Sequence, residues 1–252
     1  VGGRVTPLSA ADLRSAKGRR RLAVLTAYDY PMALALDGVG LDIILVGDSL
    51  GEVELGYEST RSVTLEMMEH HVRAVANGAT RTHITGDLPA DTYGTPEQAV
   101  ESSRALIAAG AQSVKLEGAL IPQVEAIIAA GIPVMGHVGL LPQTAEGGYR
   151  KQGRTQAESD QLLTDAVALD LAGCFAIVIE AVDPAVSTRI SPAVGAPTIG
   201  IAAGTDCDGQ VLVSTDLVGL LPNPPPFVTP KANLRELIIA AGEEWSREVR
   251  GT

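Results

Sequence analysis

Short apolar runs rich in Val and Ile recur along this chain, and Gly or Pro stands near each one. The runs are Leu22–Tyr28 (LAVLTAY), Asp42–Ser49 (DIILVGDS), His83–Leu88 (HITGDL) and Ser113–Gly118 (SVKLEG). Four more follow: Pro133–Gly139 (PVMGHVG), Phe175–Val182 (FAIVIEAV), Pro197–Gly204 (PTIGIAAG) and Gln210–Asp216 (QVLVSTD). Between most of them lie stretches of helical character. The clearest is Thr95–Ala109, with Thr95 as an N-cap, Pro96 at the first helical position and Gly110 past the end. Leu120–Ala130 and Glu158–Ala172 repeat the design. Each of the three ends in an Ala-Gly pair (Ala109-Gly110, Ala130-Gly131, Ala172-Gly173) shortly before a strand, which predicts repeated right-handed βαβ units. The sum is a single (β/α)8 TIM-barrel domain over residues 1–252. Leu221–Pro230 (LPNPPPFVTP) is then a proline-rich loop, and Lys231–Arg250 an amphipathic final helix. An open doubly wound sheet is the alternative, but no G-x-G-x-x-G follows the first strand.

Composition supports buried parallel strands. Of 252 residues, 46% are hydrophobic but only 3% aromatic, so the core must be built from Ala, Val, Leu and Ile. A net charge of −11 argues against nucleic acid or an anionic membrane surface as a partner. Cys174 and Cys207 form no CxxC pair, and Cys174 heads an apolar run and reads as core. The basic N-terminal stretch is not followed by a signal-peptide apolar run, and no segment reaches the length of a membrane span. A cytoplasmic location is the expectation.

Candidate chemistry gathers at the strand ends. Asp48 and Ser49 close the second predicted strand, Asp87 the third, Lys115 and Glu117 the fourth, His137 the fifth and Glu180 the sixth. In a barrel these ends converge on one mouth, where active sites form. Asp48, Asp87 and Glu117 offer hard oxygen ligands suited to Mg2+, which a 2-oxo acid can chelate and which stabilises an enolate. Lys115 would pair with the substrate carboxylate or the enolate oxygen. A Schiff base is the other reading, disfavoured because Glu117 lies on the same side of the strand and keeps the amine protonated. Glu180 ends the apolar run AIVIE, and burial there would make it a useful general base; a salt-bridged carboxylate is the plainer reading. His137 binds substrate or simply supports the site.

The motifs LTAYDY (25–30), LVGDSLG (45–51), DLP (87–89), VKLEG (114–118), GHVGLLPQ (136–143), GGYRKQGR (147–154) and CDGQVLV (207–213) occur in one order. In that order, from about Leu22 to Asp216, the sequence closely resembles the ketopantoate hydroxymethyltransferase family. The resemblance implies a barrel of the phosphoenolpyruvate mutase/isocitrate lyase type. It implies transfer of a hydroxymethyl group from 5,10-methylenetetrahydrofolate to 3-methyl-2-oxobutanoate, giving 2-dehydropantoate for pantothenate biosynthesis. By the same resemblance Asp48 and Asp87 match direct Mg2+ ligands and Glu117 the third acidic position. Asp48, Ser49, Asp87 and Lys115 match oxo-acid contacts, and Glu180 matches the proton acceptor. A homo-oligomer, often a decamer, is implied as well.

The chain departs from the family pattern in places. Ala90 stands where Phe is usual, and the stretch after Gln143 reaches Gly147 early. Ala202 replaces a glycine in GIAAG, and the family's acidic, aromatic ending is absent. These changes bear on the oxo-acid side chain and the folate donor. They keep open a folate-independent, Mg2+-dependent aldolase or lyase acting on another 2-oxo acid. A non-catalytic barrel is a third class, opposed by the retained Asp48, Asp87, Lys115, Glu117 and Glu180.

Overall fold

The computed structural model describes residues 6–145 and 148–251. The early arrival at Gly147 therefore lies outside the described residues. The chain divides into two compact units, Val1–Val211 and Leu212–Thr252.

The first unit opens with α1 (Ala10–Arg14), β1 (Leu22–Thr26), α2 (Tyr30–Leu36), β2 (Ile43–Val46), α3 (Leu50–Val53) and a 3-10 turn at Thr60–Ser62. It continues through α4 (Leu65–Gly78), β3 (His83–Asp87), α5 (Pro96–Ala109), β4 (Ser113–Lys115), α6 (Ile121–Ala129) and β5 (Val134–Gly139). Then come α7 (Gln156–Leu171), β6 (Ala176–Glu180), α8 (Pro184–Ala193), β7 (Thr198–Ile201) and β8 (Gly209–Leu212). The strands form a closed barrel in sequence order, each parallel to the next where pairs are in register. The Leu22 N–H donates to the Asp208 carbonyl across the seam (2.9 Å). The predicted barrel is therefore present, and the open sheet is not.

Local signals explain the elements. Thr95 caps α5 by accepting from the Gln98 N–H, Pro96 occupies the first turn, and Gly110 ends the helix at φ +119. Thr155 and Glu158 form a capping box that starts α7. Three inter-strand helices of more than one turn, α2, α4 and α8, lie outside the predicted set. In α4 the buried residues Met68, Val72 and Val75 recur at helical spacing, and Thr64 caps it. In α8 the internal Pro192 obscures the pattern.

A buried cluster joins Leu13 and Ala16 to Leu22, Ile43, Phe175, Ala176 and Ile199, which stand near the strand starts. The α1 segment therefore covers the end of the barrel where strands begin, leaving the opposite mouth for chemistry. Cys174 is fully buried, as its sequence setting predicts.

Every strand falls short, at one or both ends, of the apolar run that predicts it, and the eighth stops earliest. The run Gln210–Asp216 is strand only to Leu212, and the second unit then turns into α9 (Ser214–Leu217). Its pairing with β7 runs only to Gly200↔Gln210, next to the end of β7 at Ile201, and Ala202 then takes φ +50. The second unit ends in α10 (Leu234–Arg250), with Asn233 accepting from the Glu236 N–H at its start. Residues 221–230 between α9 and α10 contain no helix or strand.

Candidate active site

The mouth at the C-terminal strand ends is built from closely spaced turns. Past β2, Gly47 lacks a Cβ that would sit 2.9 Å from Ser49 Oγ and 3.5 Å from Asp87 Oδ2. That space lets the Asp48–Ser49 turn fold against β3, where the Asp48 N–H donates to Asp87 Oδ2 (3.3 Å). Asp87 and Lys115 are register partners on β3 and β4, so the Lys115 ammonium reaches Asp87 Oδ2 at 2.9 Å. Both side chains are almost wholly buried. Asp87 Oδ1 has no hydrogen-bond partner. Ser49 Oγ lies 2.9 Å from the Tyr28 hydroxyl.

On the other side of the mouth, His137 on β5 lies between two carboxylates. Its Nε2 is 3.3 Å from Glu180 Oε2 and its Nδ1 3.8 Å from Glu117 Oε1. Neither contact has hydrogen-bond alignment, so both buried ring nitrogens remain unpartnered. Gly139 pairs with Glu180 across β5 and β6. A Cβ on Gly139 would stand 2.2 Å from the Glu180 carbonyl, so only glycine permits this approach.

The electrostatics reflect carboxylates crowded in a buried site. Burial, then the nearby Asp87 charge, pushes Asp48 up to about 7. Burial raises Glu117 to about 9, against the pull of Lys115. Burial alone would lower the Lys115 ammonium, but Asp87, Asp48 and Glu117 together hold it above its ordinary value. The lysine is thus a fixed cation, as its spacing from Glu117 suggested, and a poor nucleophile. Burial, reinforced by the Lys115 charge, lowers His137 and keeps the imidazole neutral.

All seven sequence-predicted residues, Asp48, Ser49, Asp87, Lys115, Glu117, His137 and Glu180, come to this mouth. The expected burial of Glu180 is not found: its side chain remains 22% exposed, because it stands at the end of β6 rather than within it. Nor are the three acidic residues a preassembled cage. Among the described residues, no three His, Cys, Asp or Glu side chains come together closely enough to hold a metal ion between them.

Sequence reasoning missed four side chains that reach the site. Gln143 donates from Nε2 to Asp48 Oδ2 (2.8 Å) and from its main chain to Glu117 Oε2 (3.1 Å). The Tyr93 hydroxyl donates to Gln143 Oε1. Arg61 donates to the Gln143 carbonyl, and Tyr28 is the partner of Ser49. Tyr28 and Gln143 lie inside the motifs LTAYDY and GHVGLLPQ, so the signal was present, but a search for ionisable strand-end residues passes over neutral amides and phenols.

A family model described as ketopantoate hydroxymethyltransferase matches residues 7–252. The chain belongs to the ketopantoate hydroxymethyltransferase family. The match extends well past the Leu22–Asp216 span over which the motifs suggested it. Among curated relatives, a 3-methyl-2-oxobutanoate hydroxymethyltransferase of Oleidesulfovibrio alaskensis is 51% identical, over 96% of this chain and 86% of its own. One of Moorella thermoacetica is 49% identical, over 95% of this chain and 92% of its own. In solved structures the family's barrel recurs at much lower identity. A phosphonopyruvate hydrolase in complex with oxalate and Mg2+ aligns with TM-score 0.66 at 13% identity, covering 96% of this chain and 87% of that one. A 2,3-dimethylmalate lyase, a member of the PEP mutase/isocitrate lyase superfamily, aligns with TM-score 0.60 at 16% identity, covering 96% and 98%. The likeness to these structures is one of fold.

Proposed function

We propose that this chain transfers a hydroxymethyl group from 5,10-methylenetetrahydrofolate to 3-methyl-2-oxobutanoate, forming 2-dehydropantoate for pantothenate biosynthesis. The observation that carries the reading is the buried group of Asp48, Asp87, Lys115, Glu117 and His137 at one barrel mouth, with Glu180 at its partly open edge, in a chain of this family. The residues fit a hard divalent cation. Asp87 Oδ1 is buried and unpartnered, and Asp48 and Glu117 are carboxylates short of positive charge. Mg2+ commonly rests on one or two carboxylates and fills its remaining positions with water and substrate, so a preassembled cage is not required. Asp48 and Asp87 would hold the ion, and Glu117 would reach it directly or through water. When bound, Mg2+ supplies Lewis-acid polarisation of the keto group.

The chain's own groups account for the rest. Lys115, held protonated, and the Ser49 hydroxyl bind the oxo-acid carboxylate or the developing enolate oxygen. Glu180, partly open to the mouth, accepts the C3 proton. His137, neutral and beside Glu180, borders the substrate. In the overall change the C3–H bond breaks and C3 bonds to the one-carbon unit. One water contributes the new hydroxyl, and tetrahydrofolate leaves.

The test is turnover of 3-methyl-2-oxobutanoate with the folate donor and Mg2+, run beside deuterium exchange at C3 without folate. Product formation supports the transferase. Exchange without transfer, on this or another 2-oxo acid, replaces it with a folate-independent aldolase or lyase. We further propose a homo-oligomer in the cytoplasm. Leu237, Ile238, Trp245 and Val249 on α10 are more than half exposed, which suits burial against another copy. A single species of monomer mass in sedimentation would refute the oligomer. Among the described residues no helix is long and apolar enough to cross a membrane.

A further inference from the structure

Gln143 lies in the connection after β5 and is buried at the mouth. Its side-chain amide has three partners. Nε2 donates to Asp48 Oδ2 at 2.8 Å and to the Leu88 carbonyl at 2.9 Å, while Oε1 accepts from the Tyr93 hydroxyl. The amide's orientation follows from these partners, since two oxygen acceptors can be met only by the NH2 and the phenol proton only by the carbonyl. Its main-chain N–H donates to Glu117 Oε2 at 3.1 Å. Its main-chain carbonyl accepts from Arg61 Nε at 2.8 Å, and Arg61 also donates to the Ala145 carbonyl at 3.0 Å. One neutral residue therefore ties two acidic side chains, from the turns after β2 and β4, to one another and to a clamped loop.

We propose that Gln143 is a positioning residue for the divalent-cation site: its amide holds one oxygen of Asp48, and its main-chain N–H orients Glu117. Lys115 does the equivalent for Asp87, whose Oδ2 it occupies while Oδ1 has no partner. Tyr93 and Arg61 act one step further out, by fixing the amide and the loop that carries it. Partners of this kind pre-order ligating carboxylates, and their loss weakens metal binding more than it disturbs the fold. Nothing about Gln143 is ionisable, so it serves at any pH at which the carboxylates are free to bind.

The inference rests on the metal reading of the site, and the experiment separates the two. Mn2+ is titrated into the purified full-length chain and followed by electron paramagnetic resonance, without substrate. The same is done for Gln143→Leu, which removes all three amide bonds, and Tyr93→Phe, which removes one and leaves the carboxylates untouched. Gln143→Leu is expected to bind Mn2+ about 10–100-fold more weakly, with a changed spectrum. Tyr93→Phe is expected to show a smaller loss in the same direction. In turnover, the Mg2+ concentration needed by Gln143→Leu should rise by a larger factor than kcat falls at saturating Mg2+. If Gln143→Leu does not fold, Tyr93→Phe carries the test. Mn2+ affinity equal to that of the unaltered chain in the folded variants overturns the positioning role while leaving the metal site standing. Absence of Mn2+ binding by the unaltered chain overturns the metal reading, and the role of Gln143 with it.

Discussion

Proton abstraction beside a carbonyl needs a base whose approach is fixed, and Glu180 is the carboxylate at the mouth left free by the metal assignment. Asp48, Asp87 and Glu117 are each held by Gln143 or Lys115, whereas Glu180 faces His137 without an aligned hydrogen bond. Glu180→Gln nearly preserves shape but cannot accept a proton. It should lose activity by roughly a hundredfold or more and still bind the oxo acid. Deuterium exchange at C3 of 3-methyl-2-oxobutanoate, with Mg2+ and no folate, reads this step alone; exchange as fast as in the unaltered chain would assign the base elsewhere. The metal assignment has its own single-residue test. Asp48→Asn and Asp87→Asn each exchange a ligating charge for an amide, and both should abolish most of the Mg2+-dependent rate. An unchanged Mg2+ dependence in the two variants would remove them from the site. A third residue makes a point about strain. Ala202 takes φ +50, a region that costs a side chain about 1–2 kcal/mol. Glycine removes that cost but is freer when unfolded, so Ala202→Gly should stabilise by about 0.5–1 kcal/mol net. Urea denaturation checks it, and a destabilised variant would mean that Ala202 makes a contact worth more than its strain.

At the scale of elements, the strands were readable because parallel barrel strands are buried on both faces and appear as continuous apolar runs. Where the first seven predicted strands overran, they did so by one to three residues at an end, since the runs continue into the turns that carry the site. β8 was the largest overrun: Val213 is already the N-cap of α9, which takes up Ser214 to Asp216. α5 was read correctly from Thr95, Pro96 and Gly110, whereas α8 was hidden by Pro192. The charged half of the site was legible because ionisable residues stand out in apolar runs. Gln143 and Tyr93 were not, because their importance lies in partners from other elements. Gly139 shows how tightly two such elements meet. At φ +104, with the Glu180 carbonyl 2.2 Å from where a Cβ would be, Gly139→Ala must push β5 and β6 apart at the base. Backbone strain and steric conflict together predict a loss of about 2–4 kcal/mol. Activity should fall even in the fraction that remains folded. A denaturation midpoint and specific activity matching the unaltered chain would show that the strands can part without consequence.

At the scale of the whole molecule, the crowded carboxylates couple stability to pH and to the cation. Asp48 is raised from 3.8 to about 7 and Glu117 from 4.5 to about 9, burial being the larger cause in both. In the metal-free chain, the folded state therefore keeps protons that the unfolded state has already released between about pH 4 and these raised values. A raised carboxylate contributes stability that is fully present below its unfolded value and lost as pH rises through its folded one. His83 and His137, which burial lowers, oppose this below the ordinary histidine range, so metal-free protein should become less stable from about pH 7 to pH 9. Asp37, Asp170 and Asp208, which hydrogen bonds and ion pairs pull down against the opposing effect of burial, act the other way. Their contribution is lost only as pH falls below the ordinary carboxylate range, outside this window. A bound divalent cation takes the place of those protons, so its stabilising effect should grow as pH rises, with protons released on binding. For a chain of this size each kcal/mol moves the thermal midpoint by about 2–4 °C. The measurement is the midpoint at pH 5, 7 and 9, with EDTA and with excess Mg2+. The expected result is a midpoint that declines from pH 7 to pH 9 in EDTA and a gap between the two curves that widens toward pH 9. A flat EDTA curve would mean that water or local rearrangement relieves the buried carboxylates, and a gap equal at pH 5 and pH 9 would mean that Mg2+ binds somewhere other than Asp48, Asp87 and Glu117.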